Sequence, residues 1–191
     1  ISSKFVADFD CVKIFDENLT EPRQNYSVNV TDNCEIFRNR LYDTLLVDLG
    51  KKEKLTAALI SDGLKEVNYP SFNRALIKRN ILSHVIPEDF KNRFFITSLN
   101  LDKCGALDLH KGCFLGQEVC RRILNSSRIP YRMFSVKIIG GMESKFLEFI
   151  NSGKIFVMNK EDDLYQLIAP ENEITSENNN SFSLIKNYKN L

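Results

Sequence analysis

The sequence predicts an α+β chain on three observations: alternating stretches at both ends that read as strands, an amphipathic helical stretch in the middle, and a glycine turn that gives way to helix formers. At the start, Phe5, Ala7, Phe9 and Cys11 alternate with mostly polar neighbours, as do Tyr26, Val28 and Val30. Both are half-buried strand patterns. Residues 17–25 between them are polar, contain Pro22 and read as a surface connection. Residues 36–49 are two-sided: Phe37, Leu41, Leu45 and Leu49 recur at helical spacing, yet residues 44–47 would also serve as a buried strand.

Residues 50–72 are charged and read as a loop, with Gly63 and Pro70 as breakers. Phe72, Ala75, Leu76, Arg79 and Leu82 then outline an amphipathic helix, with Arg74, Lys78 and Arg79 on a solvated polar side and Pro87 expected to end it. In the tail, Phe134, Val136 and Ile138 alternate, Gly140-Gly141 turns the chain, and residues 145–150 form a short helical piece. Residues 153–158 and 164–169 flank a Glu161-Asp162-Asp163 turn, and residues 182–185 close the sheet after a polar loop over 171–181. The run Asn178-Asn179-Asn180 is low in complexity.

The chain of 191 residues suffices for one sizeable core with a small second domain. Hydrophobic residues at 43% and charged residues at 27% argue against disorder and against a membrane protein. A formal net charge of +1 gives no general reason to expect a nucleic-acid partner. The five cysteines, Cys11, Cys34, Cys104, Cys113 and Cys120, are odd in number and contain no C-x-x-C pair, so mostly free thiols in a reducing compartment are expected. The two histidines, His84 and His110, do not form an H-E-x-x-H pattern.

The stretch with chemistry is Lys111-Gly112-Cys113-Phe114-Leu115-Gly116-Gln117-Glu118-Val119-Cys120-Arg121-Arg122. Gly112 and Gly116 can take positive φ and place Cys113 and Phe114 on a tight turn. Residues 117–124 favour a helix, and Glu118 suits its positive end. Free amides together with Lys111, Arg121 and Arg122 would favour the Cys113 thiolate, the form that binds metal or attacks an electrophile. The alternative is a Cys113 that packs beside a structural turn as a small hydrophobe.

The pattern Lys111-Gly112-Cys113-Phe114-x-Gly116-Gln117-Glu118-x-x-x-Arg122, continued by Arg132-Met133-Phe134, resembles the signature of the YgfZ-type proteins, the iron–sulfur assembly branch of the folate-binding, aminomethyltransferase-like superfamily. The resemblance implies a folate-binding-like α+β domain over residues 1–134 and a small C-terminal β-barrel-like domain over 135–191. It favours a strand over residues 40–47, where aminomethyltransferases carry two adjacent acids beside the folate. Here the first is Tyr42 and only Asp43 remains as a folate-site candidate. Val85-Ile86-Pro87-Glu88 and Asn100-Leu101 also resemble family segments. Ser98 stands where a pterin-gripping glutamate is expected, however, and a serine cannot accept two parallel bonds from an aminopyrimidine edge.

By resemblance, then, the chain is a non-catalytic iron–sulfur assembly factor working with an A-type carrier protein on 4Fe-4S enzymes. Cys113 would supply one ligand of a bridging 2Fe-2S cluster, with Lys111, Gly112, Phe114, Gly116, Gln117, Glu118 and Arg122 as its supporting motif. The competing expectation is a tetrahydrofolate-dependent aminomethyl or one-carbon transferase; a third is an interaction module without cluster chemistry. Proteins of this type work in the mitochondrial matrix or in bacterial cytoplasm. A start at Ile1 rather than methionine, which reads as a processed or trimmed chain such as removal of a transit peptide would leave, favours the matrix together with the reducing cysteine pattern.

Overall fold

A computed structural model describes residues 9–14, 27–30, 34–38, 43–48, 50–82, 87–90, 93–101, 107, 115–126, 130–175 and 180–185. The chain divides into two compact units, Ile1–Val67 and Asn68–Leu191. Each holds one antiparallel four-stranded sheet. The architecture is mixed α/β, in keeping with the α+β class.

In the first unit the strands are β1 (Phe9–Ile14), β2 (Ser27–Val30), β3 (Cys34–Arg38) and β4 (Asp43–Asp48), in the order β1-β4-β3-β2. Within the two-sided stretch over 36–49, the described residues 36–38 and 43–48 are extended. Its helical spacing arose because Phe37 and Leu45 lie on two separate strands, β3 and β4, paired with each other. Leu45 and Val47 are buried while Thr44 and Leu46 are only partly so, the alternation of a strand with one covered face. The stretch expected as a loop contains a helix, α1 (Lys52–Ser61). Its Leu-Thr-Ala-Ala-Leu-Ile run has adequate helix propensity, but none of its residues is buried, so it shows no apolar stripe to the eye. The residues expected to form the loop over 17–25 lie outside the described ones.

The second unit begins with α2 (Tyr69–Lys78), the amphipathic helix. Pro70 starts it rather than breaking the chain: it sits in the first turn, where its missing N–H costs nothing, and the Asn68 side chain caps Ser71 N–H at 3.1 Å. Pro87 does not end it. The helix stops at Asn80, whose φ of 52° is left-handed, with Ile81 N–H bonded to Leu76 O and Asn80 N–H to Ile77 O, both at 2.9 Å. This double bond is a Schellman ending, and asparagine tolerates its left-handed residue. Arg74, expected on a solvated face, instead forms ion pairs with Asp162 and Asp163.

The C-terminal sheet runs β6-β7-β5-β8, from β5 (Arg132–Ile138), β6 (Phe156–Glu161), β7 (Leu164–Ala169) and β8 (Phe182–Leu184). Among the described residues it is an open sheet with β6 and β8 as its edges, rather than a closed barrel. The division expected at 134/135 falls inside β5, whereas the contacts divide the chain at 67/68.

Both faces of this sheet are covered. On one, Val136, Tyr165, Leu167, Ala169 and Phe182 pack with Phe146 of α4 (Glu143–Ile150) and Ile174 of α5 (Glu171–Thr175). Helix α5 occupies the first part of the region expected as a polar loop. On the other face, Met133, Met158 and Ile168 meet Leu82, Phe90, Phe94 and Leu99. That face is tied to α2 and to the residues just past it by polar contacts: Asn73 and Asn159 exchange side-chain bonds of 3.3 and 2.7 Å, and Gln166 donates to Ile81 O at 3.0 Å.

Candidate functional site

The second half of the motif folds as the glycine pattern predicts. Gly116 takes φ 87°, a left-handed conformation, and serves as the N-cap of α3 (Gln117–Asn125). Glu118 lies in the first turn, near the positive end of the helix dipole, and pairs with Arg122 one turn later at 3.6 Å. Both are largely exposed, so the pair adds little stability and mainly sets charge on the outer face. Gln117 and Cys120 are buried, which is the side of α3 that holds it to the unit. Cys120 is thus the packed, small-hydrophobe kind of cysteine.

The outer side is unlike the inner one. Leu115, immediately before the glycine, is fully exposed, and Val119, one turn further on, is exposed as well. The helix rests on a 3₁₀ turn, Ile96–Leu99, and Asn100 ends that turn with φ 56°. Thr97, Ser98 and Asn100 are buried there. Ser98, which the resemblance sets against a pterin-gripping glutamate, is therefore inside the fold.

Lys111, Gly112, Cys113 and Phe114 lie outside the described residues, as do His84, His110 and Cys104. Asp43 opens β4, with Ile14 and Arg38 as its Cα partners, and belongs to the first unit, whereas Gly116, Gln117, Glu118 and Arg122 belong to the second. Among the described residues no group of three or more His, Cys, Asp or Glu side chains comes together that could hold a metal ion. Also among them, no helix is long and apolar enough to cross a membrane.

Two asparagines had no structural role read from the sequence, where Asn100 counted only as part of the Asn100-Leu101 resemblance. Asn80 and Asn100 both take left-handed φ and both donate to the carbonyl oxygen of Met133, at 2.9 and 2.7 Å. Asn80 also accepts from the Ser135 hydroxyl at 3.1 Å, and Asn100 from Arg132 at 3.2 Å. An asparagine just past an amphipathic stretch is a helix-stop signal, and it was available at Asn80.

No protein-family model matches this chain, and no curated protein sequence matches it.

Gly116 gives a local prediction. A Cβ there would meet open space, so the cost of Gly116→Ala is the backbone conformation alone. The variant is expected to lose about 1–2 kcal/mol, read as a lower urea midpoint at unchanged slope. An unchanged midpoint would mean that the turn relaxes without loss.

Proposed function

We propose that the chain is a non-catalytic iron–sulfur assembly factor of the YgfZ type. It acts with an A-type carrier protein in maturing 4Fe-4S enzymes, and Cys113 supplies one ligand to a bridging 2Fe-2S cluster. The observation that carries this reading is the motif itself, in which Lys111-Gly112-Cys113-Phe114 runs into a left-handed Gly116 and the start of α3. A thiolate just ahead of a helix start gains from free amides and from the cations Lys111 and Arg121.

The cluster is cargo handed between two proteins, and the arithmetic of ligation requires both of them. A cluster takes about four protein ligands, so one thiolate from Cys113 leaves the rest to the carrier. The exposed Leu115 and Val119 lie beside that turn in sequence and would be covered in the complex. Folate chemistry is the weaker reading, since Tyr42 and Ser98 replace two acids and Ser98 is buried. The mitochondrial matrix is the proposed compartment.

The test is anaerobic reconstitution of the chain mixed with an A-type carrier, iron and sulfide, following visible absorption and complex mass. A coloured one-to-one complex is expected. Colour confined to the carrier alone, with no complex, would sink the proposal.

A further inference from the structure

We propose that Asn100 is a positioning residue that latches the base of the segment carrying α3 and so fixes where that helix stands. The inference starts from the edge of β5. Ser135 O accepts from Ile185 N–H at 2.9 Å, on the side where β8 pairs with Val136, Lys137 and Ile138. Carbonyls two residues apart in a strand point to the same edge, so Met133 O faces that edge as well. It lies beyond the β5–β8 pairing described. Two side-chain amides donate to it there, from Asn80 just past α2 and from Asn100 at the end of the 3₁₀ turn.

The two amides are not equivalent. Asn80 ties α2 to the strand, and its bond closes no part of the motif segment. Asn100 stands at the beginning of the segment 101–131, and its two partners, Arg132 and Met133, stand just past the end. Its carbonyl oxygen accepts from Arg132 and its amide donates to Met133 O, so one side chain joins residues 32 and 33 positions away. The segment thus leaves and returns at a single buried residue. Helix α3 rests on the 3₁₀ turn that Asn100 terminates, so the latch also holds the surface beneath it.

This inference rests on the proposed function only in giving α3 a site to support. Its test therefore reads neither thiol nor cluster. Glycine accepts the left-handed φ at both positions, so Asn100→Gly and Asn80→Gly remove the side chains without forcing the backbone. In amide hydrogen exchange on the full chain, Asn100→Gly is expected to speed exchange across Gln117–Asn125 about tenfold while β7 keeps its wild-type rates. Asn80→Gly, which loses the other bond to the same carbonyl, should leave α3 unchanged. Unchanged α3 exchange in Asn100→Gly, equal acceleration of α3 in both variants, or α3 and β7 rising together would each overturn the latch. If Asn100→Gly does not fold, Arg132→Met, which removes the donor to the asparagine oxygen, carries the same prediction. Loss of the cluster reading would leave this result standing, and the converse also holds.

Discussion

Phe146→Ala is expected to lower the stability of the C-terminal unit by about 3–5 kcal/mol, close to the whole stability of a small domain. Phe146 is 0% exposed and is among the largest fully buried side chains described. Its ring meets Tyr165 edge-on at 4.8 Å and Phe182 at 5.9 Å, so it joins α4 to β7 and β8 together. The alanine would lose the transfer energy of the ring and leave a cavity whose walls are strands paired on both sides or at a sheet edge, and so slow to collapse. Leu147, the next residue, is 49% exposed. Leu147→Ala is the matched control, expected within about 0.5 kcal/mol of wild type. Urea unfolding of both variants checks this, and a Phe146→Ala loss as small as the Leu147→Ala loss would show that the core refills.

Cys113→Ser is expected to abolish the coloured complex with the A-type carrier while leaving the far-ultraviolet circular dichroism unchanged. A serine hydroxyl is a hard donor, protonated at neutral pH, and a poor substitute for the soft thiolate that iron–sulfur clusters require. Losing one of about four ligands at a bridging cluster removes the only covalent tie to this chain, so both colour and complex mass should fall together. Cys120 provides the comparison. It is buried on the inner side of α3, and Cys120→Ala should keep the chromophore even where it costs some stability. If Cys113→Ser retains a coloured complex like wild type, Cys113 is not the ligand, and the interaction-module reading gains.

How much of this could be read from residues alone depended on whether the signal was local. The tail was legible because Phe134, Val136 and Ile138 alternate and its turns carry Gly140-Gly141 and Glu161-Asp162-Asp163; Asp162 takes φ 52° at the hairpin. The amphipathic α2 was legible because Phe72, Ala75 and Leu76 recur three and four residues apart, and Leu76 is buried. Helix α1 was not, because its apolar residues Leu55, Ala57, Ala58, Leu59 and Ile60 spread around the helix and none is fully buried. The end of α2 was misplaced because proline is the louder signal, although Asn80 stops the helix before Pro87 is reached.

The site divides in the same way. Gly116 followed by helix formers announced the start of α3, and Glu118 announced its first turn. The inward side of Gln117 and the outward side of Leu115 depend on which neighbour the helix rests against, which no spacing reveals. The role of Asn100 was hidden for a stronger reason. Its partners are 32 and 33 residues away, and only a folded β5 brings them to it.

Strand β7 has a consequence of a different kind. All six of its residues, Leu164 to Ala169, are buried, and the run Leu-Tyr-Gln-Leu-Ile-Ala carries no charge and no proline. A segment of that composition is the kind that stacks into cross-β fibrils when left open. Here it is held between β6 and β5, so neither of its edges faces solvent. Three acids, Glu161-Asp162-Asp163, stand directly before it in the chain. Placed there, they match the pattern of charges flanking an apolar strand that would disfavour pairing with a second copy while the polypeptide is still unfolded. The turn that closes the hairpin thus also guards solubility during synthesis.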